Sequence, residues 1–94
     1  MGTDKSPLFA LGCVVITPAL LELFQAEMIE PTIFLTRHQS GDFGNLCASD
    51  IDANQHAIHH RARIVSCYHL RKTKFWIITE ADRSSTTMLM PAEY

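Results

Sequence analysis

The segment Phe75-Trp76-Ile77-Ile78-Thr79 most narrows what this chain can become. All five residues are β-branched or aromatic, the types that suit a pleated, buried surface. Strand alternation sends Phe75, Ile77 and Thr79 to one side and Trp76, Ile78 and Glu80 to the other. Both sides are apolar where the segment begins, so it reads as a central strand covered on two faces. A second run, Thr86 to Met90, ends at Pro91, which has no amide to give a ladder. Between the two runs, Glu80-Ala81-Asp82-Arg83-Ser84-Ser85 is long enough to connect an antiparallel pair. It lacks the Asn-Gly or Asp-Gly of a two-residue hairpin. Instead it gathers two carboxylates, a guanidinium and two hydroxyls.

The remaining segments supply a frame for that pair. Residues 1–7 are polar and read as a disordered tail, and residues 8–94 as a single domain. Phe9 to Ile16 is a strand candidate in which Gly12 marks a bulge or a late start. Thr17-Pro18 is a helix start, with Thr as N-cap and Pro at the first helical position. Leu20, Leu21, Leu23, Phe24 and Met28 then form an apolar stripe. Pro31 opens a second helix to about His38, and Gly41 caps its end. Ser49-Asp50-Ile51-Asp52 resembles a capping box before a third, mostly polar helix to about His60. Arg63 to Leu70 is another strand, and Arg71-Lys72-Thr73-Lys74 a basic turn into the Phe75 strand. The order β-α-α-turn-α-β-β-β predicts an α+β domain. Its antiparallel sheet has three to four strands, built on a C-terminal meander, with two to three helices on one face and the first strand joining at an edge.

Composition excludes several classes of function. The formal charge of −2 lacks the basic surface a general nucleic-acid binder needs, which argues against direct nucleic-acid binding. It is also too small for a DNA mimic. No apolar run approaches the roughly 20 residues of a bilayer span; the longest, Leu8 to Ile16, follows a single Lys5 and does not read as a signal peptide. Cys13, Cys47 and Cys67 are odd in number and lack CxxC spacing, as expected of reduced, mostly buried thiols in a cytoplasmic protein. His56, His59 and His60 have helical spacing for metal ligation, but no acid or thiol lies beside them, so no metal and no cofactor is expected.

Two polar turns hold the candidate chemistry. Arg37-His38-Gln39-Ser40-Gly41-Asp42-Phe43-Gly44-Asn45 pairs an imidazole, which titrates near neutrality, with a carboxylate. The loop from Glu80 adds Asp82, Arg83 and Ser84. His38, Asp42, Glu80 and Asp82 are the candidate catalytic residues; Asp42, Asn45, Asp82, Arg83, Ser84 and Thr86 are the candidate binding residues. The local alternative is an Asx-turn in which Asp82 accepts from Ser84 or Ser85, with Arg83 solvated.

The segments RHQSGDFGNL, SDIDANQHAI, RIVSCY and FWIITEADRSSTTMLMPAEY are similar to a family of small proteins carried on plasmids and integrative elements of proteobacteria. Its members typically read RHxxGDWG, then a D…N helix start, then WIITEADRSxTTxLLPxEY. The resemblance runs from Val15 to Tyr94 and departs at Phe43, where Trp is usual, and at Met90-Pro91-Ala92. Some members carry a label borrowed from type I restriction enzymes, whose methylating and motor subunits need far more chain. The resemblance implies a mobile-element setting and no established activity.

The expectation is an accessory protein that acts on a protein partner, with host restriction or CRISPR defence as a target, through the Glu80–Thr87 loop and the Gly41–Asn45 turn. A small metal- or His-dependent hydrolase acting on nucleic acid is the alternative, and a toxin or antitoxin component a third reading. An open sheet edge would also allow a homodimer.

Overall fold

The computed structural model describes residues 7–94; of the expected tail, residues 1–6 lie outside the described residues. The elements are β1 (Cys13–Ile16), α1 (Pro18–Glu27), α2 (Thr32–Gln39), α3 (Ala48–His60), β2 (Ile64–Leu70), β3 (Thr73–Thr79), β4 (Ser85–Leu89) and a closing 3-10 turn (Pro91–Glu93). The expected α+β order holds. The sheet runs β1-β4-β3-β2. β2, β3 and β4 form the antiparallel meander, and the Phe75 strand lies inside the sheet.

The sheet is mixed, which corrects the antiparallel expectation: β1 pairs parallel with β4, Val14 beside Thr86 and Ile16 beside Met88. That direction delivers the chain to α1 at the end of the sheet that carries Phe75. There Phe24 meets Phe75 edge-on, ring centroids 5.4 Å apart. The strand expected from Phe9 is also shorter. Gly12, at φ +66°, lies where a Cβ would stand 2.3 Å from the Ser84 carbonyl oxygen. The ladder begins only after that close approach.

Register explains the core. Tyr68 faces Phe75, Ser66 faces Ile77 and Ile64 faces Thr79; Met88 faces Ile77 and Thr86 faces Thr79. Tyr68, Leu70, Phe75, Ile77 and Met88 pack with Leu20 and Phe24 of α1 and Phe34 of α2. A second cluster joins Ala57 of α3 to Phe9, Phe43 and Ile64.

Helix ends follow the sequence in part. Thr17 precedes Pro18 as N-cap but makes no capping bond; its hydroxyl donates to Glu93 Oε1 at 2.8 Å. α2 begins one residue later than expected. Gly41, at φ +93°, is just past the Ser40 cap. The capping box at Ser49 does not form: Cys47 is the N-cap and Ser49 lies within α3. The basic turn is tighter than expected, since only Arg71 and Lys72 separate β2 from β3. Arg71 pairs there with Glu27.

The two sheet edges differ. The outer edge of β2 is occupied. Asn54 of α3 donates to the Val65 carbonyl at 2.8 Å and accepts from the Val65 amide at 3.1 Å. Farther along, the Cys67 carbonyl accepts from the Asn45 amide at 2.7 Å, and the Cys67 amide donates to the Phe43 carbonyl at 3.0 Å. Gly44 makes this approach possible: at φ +76°, a Cβ there would stand 2.0 Å from the Cys67 oxygen. β1, at the far edge, pairs only with β4 among the described residues.

Candidate functional site

His38 leaves the surface altogether. It sits near the end of α2 with no exposure, edge-on to Phe9 at 5.0 Å between ring centroids. Its Nδ1 lies 2.5 Å from Ser66 Oγ and its Nε2 2.9 Å from Thr79 Oγ1. Thr79 Oγ1 is 2.8 Å from Thr86 Oγ1, and the Thr86 hydroxyl donates to the Leu11 carbonyl at 2.8 Å. That last bond fixes the direction of the whole chain. A carbonyl only accepts, so Thr86 spends its proton on Leu11 and accepts from Thr79. Thr79 in turn accepts from His38 Nε2–H. Nδ1 is then the acceptor for the Ser66 hydroxyl. Burial pushes the imidazole pKa down to about 3, so the ring is neutral, as the relay requires. Thr86, expected at a binding surface, is likewise fully buried, a correction that follows from its inward place opposite Thr79.

Asp42, expected to pair with His38, turns to Arg37 instead. Arg37 Nε donates to Asp42 Oδ2 at 2.8 Å, and this bond raises the Arg37 pKa. The guanidinium lies over the Tyr68 ring at 4.6 Å from its centroid. The Tyr68 hydroxyl donates to the Asp42 carbonyl at 2.5 Å, and burial pushes its pKa up to about 12. The Gly44 amide also donates to Asp42 Oδ1 at 3.3 Å. Asn45 is exposed beside His69, its Nδ2 3.2 Å from the ring Nδ1. This turn is therefore braced by Arg37 and Tyr68, neither of which stood among the candidates.

The loop from Glu80 is braced by its own arginine. Arg83, at φ +61°, directs its guanidinium to four backbone carbonyls: Ala62 at 2.7 Å, Ala57 at 2.9 Å, Glu80 at 3.0 Å and Ala81 at 3.2 Å. It also lies 5.7 Å from the centroid of Phe9. Ala57 and Ala62 border the C-terminal end of α3, where a cation meets the negative end of the helix dipole. Arg83, half-buried, ties the loop to α3 and does not extend free into solvent. Desolvation, followed by the charge of Arg61, lowers its pKa. Asp82 forms the expected Asx-turn, accepting from the Ser84 amide at 2.9 Å. Hydrogen bonds from Ser84 hold the Asp82 carboxyl below its usual range. Glu80 pairs with Arg63 at 3.3 Å, and Arg63 Nη1 donates to the Tyr94 hydroxyl at 2.9 Å.

The four candidate catalytic residues are thus engaged separately: His38 with Ser66 and Thr79, Asp42 with Arg37, Glu80 with Arg63, and Asp82 with Ser84. What remains outward on the loop is Ala81, Asp82 and Ser84, around a shallow concavity of about 470 Å³ that also reaches Glu80. The relay had a sequence signal. Ser66, Thr79 and Thr86 interrupt otherwise apolar inward faces, and a buried hydroxyl needs a partner. Asn54, polar on a polar helix, had none.

His56 and His60 stack, ring centroids 4.0 Å apart; among the described residues no group of three or more His, Cys, Asp or Glu is arranged to hold a metal ion. No helix among them is long and apolar enough to cross a membrane. No family model, no curated protein and no solved structure matches the chain.

Proposed function

We propose that the chain is a small accessory protein that acts by binding another protein, in the mobile-element setting its family resemblance implies, with a component of host restriction or CRISPR defence as the kind of target. In this reading the helices share one face of the sheet, and the working surface is the loop carrying Ala81, Asp82 and Ser84. The observation that supports it is the brace beneath that loop. Arg83 satisfies four carbonyls from within, and the Asx-turn holds the tip. A surface loop fixed before contact loses little conformational freedom on binding. The hydrolase alternative needs His38, Asp42, Glu80 and Asp82 gathered around a substrate. A fully buried imidazole hydrogen-bonded to two hydroxyls does not favour it.

The test is capture from a host lysate with the wild-type chain, Ala81→Arg and Asp82→Asn. The amide keeps the Asx acceptor and removes the charge; the arginine obstructs the concavity. A specific partner held by wild type and weakened at least roughly tenfold by Ala81→Arg, a loss of about 1.4 kcal/mol, is expected. Equal recovery with all three chains would remove this loop as the surface.

A further inference from the structure

We infer that β1 is a self-pairing edge through which two copies of this chain join their sheets antiparallel across a two-fold axis. This edge is separate from the loop that carries Ala81, Asp82 and Ser84 and is built from different residues.

The backbone bonds show which groups are free to pair. The amides of Cys13 and Thr17 donate inward to the Ser84 and Met88 carbonyls, both at 3.0 Å. Strand alternation then turns the amides and carbonyls of Val14 and Ile16 outward, away from β4. The protein protects its other edge thoroughly: Asn54 takes both backbone groups of Val65, and Phe43 and Asn45 take those of Cys67. Among the described residues, β1 has no comparable cover. Nor does it carry the usual deterrents to pairing, because Cys13-Val14-Val15-Ile16 holds no charge and no proline. Val14 and Val15 are 40% and 47% exposed.

A second copy fits these features better than a foreign peptide. Charge is absent from Leu8 through Ile16, so the two paired strands themselves bring no like charges together and offer no charge of their own to an acidic or basic partner. Across a two-fold axis at Val15, Val14 of each chain pairs with Ile16 of the other, and reciprocal amides and carbonyls satisfy one another. The two Val15 side chains then meet on the same face. They extend the cross-strand row Val15, Thr87, Ile78, Val65 from one sheet into the next.

The test combines sedimentation of the full chain over a concentration series with amide hydrogen exchange at both ends of that series. The expected mass rises from 10.6 kDa toward twice that value. The Val14 and Ile16 amides slow together with it, whereas those of Cys13 and Thr17 are slow throughout. Val15→Lys places two like charges at the axis and is expected to keep the wild-type circular dichroism while remaining a monomer. A wild-type chain that stays monomeric at every concentration overturns the proposal. So does a dimer in which Val14 and Ile16 exchange as fast as in the monomer. The exchange result decides the matter on the unmodified chain, even if Val15→Lys does not fold.

Discussion

His38 shows how one residue type changes meaning with depth. An imidazole in a polar turn invites a catalytic reading, but this one is part of the core. Its folded pKa, about 3, lies below the ordinary 6.5. The unfolded chain therefore binds a proton first as pH falls. The stability this ring contributes is fully present above about 6.5 and is lost, by up to about 1.4 kcal/mol per pH unit, as pH falls from 6.5 to 3. Denaturant titrations across that interval check this, with His38→Gln expected to flatten the slope and to lower stability at neutral pH. Thr86→Val removes the donor that orients the relay and strands the Leu11 carbonyl, at an expected cost of about 1–3 kcal/mol at pH 7. Arg83 is a second case. A guanidinium on an exposed loop suggests a partner's carboxylate, yet its four acceptors are all backbone carbonyls. Arg83→Lys keeps the charge but loses the planar fork that reaches them. It is expected to cost about 2 kcal/mol in chemical unfolding.

Among the elements, α3 matters most for what it closes. It reads as a surface helix with little apolar stripe, and its buried residues are only Asn54 and Ala57. Asn54 nevertheless acts as a substitute strand for β2, offering one amide and one carbonyl to Val65. Asn54→Ala is expected to cost roughly 2 kcal/mol, for two hydrogen bonds lost at a half-buried edge, and to speed exchange at the Val65 amide selectively. Uniform acceleration across β2, β3 and β4 would instead mean a general loss of stability.

At the scale of the whole molecule, the C-terminus fastens distant parts of the chain. Glu93 accepts from Thr17 at the head of α1. Tyr94 places its ring edge-on to Trp76, centroids 5.7 Å apart, and its hydroxyl against Arg63. Trp76 is the single tryptophan of the chain, so its fluorescence reports this contact directly. Tyr94→Ala is expected to shift its emission to the red in the native state, with the far-ultraviolet circular dichroism unchanged. The 3-10 turn ending at Glu93 thus belongs to the domain.

Local chemistry accounts for the elements that were legible in advance. β-branched and aromatic runs specify β2, β3 and β4. Thr17-Pro18 specifies the start of α1, and Asp82-Arg83-Ser84 specifies an Asx-turn, because each depends on groups only a few bonds apart. Long-range pairing decided the rest. β1 runs parallel to β4 because of where α1 must begin. The box at Ser49 is unused because Cys47 holds the cap position. His38 and Asp42, four residues apart, part company because α2 sends one ring inward to hydroxyls from two strands and leaves the carboxylate facing Arg37. Sequence spacing conveys which groups are near along the chain; only the packed sheet establishes which of them water still reaches.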